Sequence, residues 1–231
     1  MDYTWQKRND PAMKRFKFIG QFNWKYVIGE ILLIFFGINL AIWFNNWNAS
    51  KQAGQSKLVA LAKIEEEIGN NARELEIALE NAVSISGALS RLQLAKLEDS
   101  QILSTPDGLR LFQQEYPGFF SVTDSTLREN GQYLYGGRLS IVLELPSLTQ
   151  IAWETTKTIN ILSEFSYECL YQLESMYDLQ GRVLEEMDLA ARALQARDLW
   201  GLQRSLQFLH QLELALQEDY RGMLETIAAC S

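Results

Sequence analysis

The segment YVIGEILLIFFGINLAIWFNNWN (residues 26–48) is apolar over the length of a bilayer, yet it holds Glu30 and Asn39. Residues 25–44 meet the length of a spanning helix, about 20 residues across roughly 30 Å of hydrocarbon. Trp24 and Tyr26 mark one end; Trp43, Phe44 and Trp47 mark the other. Trp24 and Trp47 stand 23 residues apart, about 35 Å of helix, the spacing of two aromatic belts. A buried helix of a soluble protein is the competing reading, and the aromatic ends and the basic flank argue against it. A cleaved signal peptide fits poorly: bulky Trp43, Phe44 and Trp47 stand where a small-x-small cleavage site belongs. The expectation is an uncleaved signal anchor with a transmembrane helix over 25–47.

Charge divides the 231-residue chain. Lys7, Arg8, Lys14, Arg15, Lys17 and Lys25 precede the apolar run with only Asp2 and Asp10 against them, a net of +4. Residues 51–231 carry 15 basic and 26 acidic side chains, a net of −11, and Glu30 completes the total of −8. The positive-inside rule then places the N-terminus in the cytoplasm and the acidic remainder outside. Asp10-Pro11 starts a short amphipathic helix, so 1–24 reads as a basic segment lying on the inner leaflet. So acidic a C-terminal part excludes nucleic acid as a partner, because binding it needs a cationic face.

At 100° per residue, Gly37 and Ala41 each fall about 20° from Glu30, and Asn39 falls on the opposite face. Gly37-x-x-x-Ala41 is a small-xxx-small pair that lets two helices approach closely. One narrow stripe thus carries a carboxylate and both small residues, which predicts a helix contact through Glu30, Gly37 and Ala41. Two other readings of Glu30 stand beside it. The side chain snorkels to the cytoplasmic surface, or it lines a proton or ion path.

GEILLIFFGINLAIWFNNWN, followed by a lysine and a Glu-rich helix, resembles a family of uncharacterised bacterial single-pass membrane proteins. The shared pattern is Gly29-Glu30-Ile31-x-Leu33, then Gly37-Ile38, then Asn45-Asn46-Trp47-Asn48. Ala152-Trp153-Glu154-Thr155 is similar to a small-aromatic-Glu-Thr pattern of the wider group. The resemblance implies bacterial origin, one span and a Glu30 that belongs to a recurring pattern, and it implies no activity; with the charge bias, a bacterial origin makes the membrane the inner one and the side of the C-terminal domain the periplasm.

Residues 48–231 read as an extracytoplasmic, all-α, antiparallel helical bundle. Leu58, Leu61, Ile68, Ala72, Leu75, Leu79, Ala82 and Leu89 give one helix to about Leu97. A second helix is predicted from near Ser147 to about Arg192, facing inward through Ile151, Thr155, Ile159, Leu162, Cys169, Leu173, Met176 and Val183. A third spans about 195–229 through Leu199, Leu202, Leu206, Leu209, Leu216, Tyr220, Met223 and Ile227. The repeats look too broken for a regular coiled coil. Residues 98–147 are the least regular: Thr105-Pro106-Asp107 starts a short helix, Tyr116-Pro117-Gly118 turns, Asp124 caps a helix through Glu129, and Gly131, Gly136, Gly137 and Pro146 interrupt the chain. With a turn near 193, Cys169 lies about 24 residues before it and Cys230 about 37 after. The mismatch is about 20 Å along the axis, beyond disulfide reach. Two free thiols are expected, with intermolecular pairing through Cys230 the alternative.

No catalytic constellation stands out. His210 is the only histidine and reads as a polar flank residue; the cysteines lack metal spacing, so neither metal nor cofactor is expected. Gly136-Gly137-Arg138 lacks phosphate-loop spacing and reads as a turn. Glu65-Glu66-Glu67 and Glu185-Glu186 read as solvated faces. Tyr116, Phe119, Phe120, Tyr133 and Tyr135 gather near Arg128 and Arg138, either capping the bundle or forming a partner-docking surface. Trp24, Tyr26, Trp43 and Trp47 are the interface anchors. The sequence therefore points to a non-enzymatic membrane scaffold or accessory subunit. Its partners are the lipid bilayer and other membrane subunits, or itself, through the span. A proton- or ion-conducting oligomer using Glu30 and a single-pass sensor are the alternatives.

Overall fold

The computed structural model describes residues 24–94, 101–159 and 161–230; the interfacial helix expected before Trp24 lies outside them. The chain forms two compact units that part between Lys51 and Gln52. Helix α1 (Trp24–Leu94) holds the apolar segment in its first part and a bundle helix in its second. Among the described residues it is the one helix long and apolar enough to cross a membrane, and the protein buries none of that window.

The second unit is mostly helical, with α2 (Pro106–Glu115), α3 (Ile151–Thr158), α4 (Tyr167–Gln195) and α5 (Leu199–Thr226) following α1. From Leu61 to Leu92, from Cys169 to Ala190 and from Leu202 to Cys230, buried positions recur in alternating steps of three and four residues. That is a heptad seam on each of three helices, more regular than the apolar residues alone suggest. The pattern looks broken in sequence because Asn71, Gln180 and Glu213, all buried, occupy seam positions.

The all-α expectation fails in residues 101–139. Strands β1 (Gln101–Ser104), β2 (Phe120–Leu127) and β3 (Tyr133–Leu139) form an antiparallel sheet in the order β1-β3-β2. The expected helix from Asp124 to Glu129 is instead β2 and its turn. β-Branched and aromatic residues favour the pleated sheet, and Asn130-Gly131 closes the hairpin with φ of 62° and 73°, a turn that suits the strands' twist. Gly136 and Gly137 lie within β3 rather than at a turn. A Cβ on Gly137 would strike the Phe120 ring and the Ser121 carbonyl, so the strand's close approach requires glycine there. Two expectations hold. Thr105 caps α2 by accepting from the Gly108 amide at 3.1 Å, and Gly118 turns with φ of 79°.

The helix expected over 147–192 is two helices. After α3 the chain passes a short 3-10 turn (Leu162–Glu164) and restarts at α4, where Ser166 caps the new end. The break resets the helical phase. Trp153 and Thr156 therefore face inward, while Ile151 and Ile159 are exposed. Leu58 is exposed as well.

Cys169 and Cys230 are bonded, with Cα atoms 5.6 Å apart, against the expectation of free thiols. The α4–α5 hairpin turns at Arg197, not near 193. Arg197 takes a φ of 56°, its amide donates to Leu194 O at 3.1 Å and the Asp198 amide to Ala193 O at 2.9 Å. This paired closure of a helix end normally uses glycine, so nothing in the sequence marks it. Each residue of error in the turn counts twice in the register. Cys169 lies 28 residues before Arg197 and Cys230 33 after. The offset shrinks to five residues, about 8 Å, and the final 3-10 turn (Ile227–Cys230) brings the pair together.

Candidate functional site

In the candidate span every side chain from Ile28 to Ser50 is exposed. The helical phase keeps Glu30, Gly37 and Ala41 on one stripe, and no atom comes within 4 Å of a Cβ placed on Gly37. The stripe is open. Asn39, on the other face, donates from Nδ2 to Phe35 O at 2.7 Å. Its amide is occupied by its own helix. Trp43 stacks on Trp47 with centroids 6.4 Å apart, and Lys51 Nζ lies 5.9 Å from the centre of the Trp47 ring. Trp24 and Tyr26 are exposed at the other end. All four aromatic residues expected as anchors are exposed.

The bundle unit holds the opposite arrangement. Glu67 on α1 accepts from Tyr177 Oη at 2.8 Å, Thr149 Oγ1 at 3.1 Å and the Ala152 amide at 3.0 Å. The last bond satisfies an orphan donor at the start of α3, where Gln150 makes no side-chain cap. Asn71, one turn on, clasps the backbone of Thr149 from both sides. Its Nδ2 donates to Thr149 O at 2.7 Å, and its Oδ1 accepts from Thr149 N at 3.0 Å. Asn81 repeats the clasp, donating to Val142 O at 3.1 Å and accepting from Glu144 N at 2.9 Å. Backbone polar groups must be paired somewhere. These two asparagines give residues 142–149 partners without helix or strand.

Gln180 and Tyr220 complete the layer. Tyr220 Oη donates to Gln180 Oε1 at 2.7 Å, Asn71 Nδ2 reaches the same oxygen at 3.2 Å, and Gln180 Nε2 donates to Thr149 O at 3.1 Å. One residue from each of α1, α4 and α5 therefore meets in a single hydrogen-bonded layer. Burial, with the Glu67 carboxylate beside it, pushes the Tyr177 phenol well above its ordinary range, so it stays a donor.

The Ala152–Thr155 tetrad serves the same junction. Trp153 is buried flat against Tyr177, with centroids 6.0 Å apart, and its Nε1 donates to Glu174 Oε2 at 3.2 Å. Lys157 pairs with Glu154 at 2.8 Å and lies 5.4 Å from the centre of the Trp153 ring. Thr155 is exposed beside an open groove of about 410 Å³ that also meets Val59, Lys63 and Ile159. The tetrad fastens α3 to α1 and α4.

Glu213 is the exception in the bundle. It is fully buried and neither carboxyl oxygen has a partner; His210 Nδ1, one turn away, is also buried without one. Counting one heptad from the bonded layer puts Glu213 level with Ala78 and Met187. Burial raises its carboxyl to about 7.

The aromatic group around the sheet is mostly interior. Phe119, Phe120 and Tyr135 are buried. Tyr116 packs on Phe112 with centroids 5.3 Å apart and lies against Gly87 of α1. Tyr133 stacks on Tyr135 at 5.8 Å; Arg128 and Arg138 remain exposed. The three buried rings are unavailable as a docking surface, and the group attaches α2 and the sheet to the end of α1. Among the described residues no three His, Cys, Asp or Glu side chains stand close enough to share a metal ion. Compared with family models, curated proteins and solved structures, the chain matches none.

Proposed function

We propose that the protein is a non-catalytic, membrane-anchored scaffold or accessory subunit of a larger bacterial inner-membrane complex. Its N-terminus is cytoplasmic and its bundle periplasmic. The observation that carries this reading is the open stripe of Glu30, Gly37 and Ala41 on an otherwise apolar helix. A carboxylate facing acyl chains is costly, and a neighbouring span relieves that cost. The bundle supports the reading differently. Its seam is closed by hydrogen bonds and a disulfide, the build of a rigid support. The Cys169–Cys230 bond also fits an oxidising compartment, the side the basic N-terminal flank favours for it.

The test is extraction of the tagged chain in mild detergent, native-gel separation and mass spectrometry of the band. A defined set of other membrane proteins at fixed ratio is expected. Migration alone, or as a homo-oligomer, overturns the reading and moves Glu30 to the conducting alternative.

A further inference from the structure

A carboxyl sealed inside a helical seam has two states, and this fold suits only one of them. Glu213 of α5 is fully buried, and neither of its oxygens has a partner among the described residues. The seam positions level with it and next to it are apolar on all three helices: Ala78 and Ala82 on α1, Val183 and Met187 on α4, Leu209 and Leu216 on α5. The charged side chains of the neighbouring turns point elsewhere. Arg73, Glu74, Glu76 and Glu80 on α1, Arg182, Glu185 and Asp188 on α4, and Arg204, Glu218 and Asp219 on α5 are exposed, and Glu186 is half-buried. His210 presents a buried Nδ1 that is itself without a partner. The neutral acid can stay in such a seam. The carboxylate has no counter-ion there and must reach water.

The way out is set by how the bundle is fastened on either side of Glu213. Towards the C-terminus, α4 and α5 are tied by Cys169–Cys230 and by the layer of Asn71, Gln180 and Tyr220. On the other side lies the tip of the α4–α5 hairpin. It is closed on itself at Arg197 and capped by Asp198, and it meets α1 where Gln203 Nε2 donates to Ser90 Oγ at 2.6 Å. The tip can part from α1 with the disulfide and the polar layer intact.

We propose that the α4–α5 hairpin tip is a proton-operated latch: it lies closed on α1 while Glu213 holds its proton, and loss of that proton frees it while the disulfide end stays shut. The latch is independent of what the span binds. Burial raises the carboxyl to about 7. The hold is therefore full below the ordinary carboxylate range and is lost as pH rises through 7.

Hydrogen–deuterium exchange of the full chain in detergent tests it, at pH 5 and pH 8, with rates corrected for the intrinsic pH dependence of amide exchange. Amides of residues 187–213 and 78–89 should lose protection by roughly tenfold or more between the two. Those of residues 169–180 and 220–227 should keep theirs. Glu213→Gln cannot ionise, so the tip should be equally protected at both pH values. Glu213→Leu continues the row of Leu209 and Leu216 and should behave the same way, which covers a glutamine that packs badly. Equal protection of the wild-type tip at both pH values overturns the proposal. So does a loss spread evenly over both ends, which is unfolding of the whole bundle, or a pH dependence that survives both substitutions. A tip unprotected at both pH values in Glu213→Leu also overturns it, because an apolar side chain there should hold the latch shut.

Discussion

Glu30 and Glu67 are both carboxylates on α1, and they differ in everything around them. Glu67 lies in the bundle unit with three donors on its two oxygens. Glu30 lies in the candidate span, exposed, with none among the described residues. The asparagines repeat the contrast. Asn71 ties α1 to α4 and to an extended segment, whereas Asn39 bonds only to its own backbone. A polar group with partners inside the chain explains a fold. One without them, on a face with room for a neighbour, points to another molecule. By that rule the polar layer of the bundle is accounted for within the chain, and the exposed Glu30 is not.

The bundle can be broken most severely at its disulfide. Replacing both Cys169 and Cys230 by serine opens a loop of 61 residues, a loss of about 4 kcal/mol by loop-closure entropy. Thermal unfolding of the detergent-solubilised chain, with and without reductant, reads it. Reductant should lower the wild-type midpoint and leave the double variant unchanged.

Glu213 sharpens the comparison, because among the described residues it is the one fully buried carboxyl without partners. Its folded-state pKa of about 7 lies above its unfolded value near 4.3. Its contribution is fully present below that unfolded value and is lost as pH rises through 7. At about 1.4 kcal/mol per pKa unit, the fall is on the order of 3 kcal/mol. Glu213→Gln does not titrate, so the difference in stability between pH 5 and pH 8 should shrink by that amount. An unchanged difference would mean the carboxyl has a partner or water that the fold does not show.

The paired asparagines come next. Asn71→Leu strands the Thr149 amide and takes one of two donors from both Thr149 O and Gln180 Oε1, a cost of about 2 kcal/mol. Asn39→Leu removes only a bond to its own helix and should leave the unfolding midpoint of the bundle unchanged. Equal effects from the two would break the contrast. The smallest effect expected is a gain. Arg197→Gly relieves a side chain held at positive φ and should stabilise the α4–α5 hairpin by about 0.5–1 kcal/mol.

Much of this is legible in the sequence, and the parts that are not share a cause. The candidate span is plain because a run of about twenty apolar residues, closed by aromatics at both ends, has the length of a bilayer-crossing helix. The last helix is equally plain, with Leu202 to Ile227 on the correct face. Its one gap between Leu209 and Leu216 marks the position of Glu213, a signal visible in the spacing alone. Asn71 and Gln180 hide the seam in the same way, since a polar residue at a core position looks like an interruption. The sheet escapes the helical reading although Asn130-Gly131 between Thr126-Leu127 and Tyr133-Leu134-Tyr135 is a hairpin signal. Two glycines in β3 draw attention to turns instead. The disulfide is hidden because Arg197 occupies a glycine's place, so the apparent turn of the hairpin falls four residues too early. At the candidate site, the stripe itself follows from helical phase. That Glu30 has no partner along its own chain, while Glu67 has three, needs the fold.

The most direct measurement is Glu30→Leu examined twice on one preparation, by the position of the native complex on a gel and by the melting of the bundle. The account predicts a shift to a smaller particle with the melting midpoint unchanged, because the stripe serves another chain and the bundle serves itself. A particle of unchanged size would contradict it, and a lowered midpoint would show that Glu30 belongs to this chain's own fold.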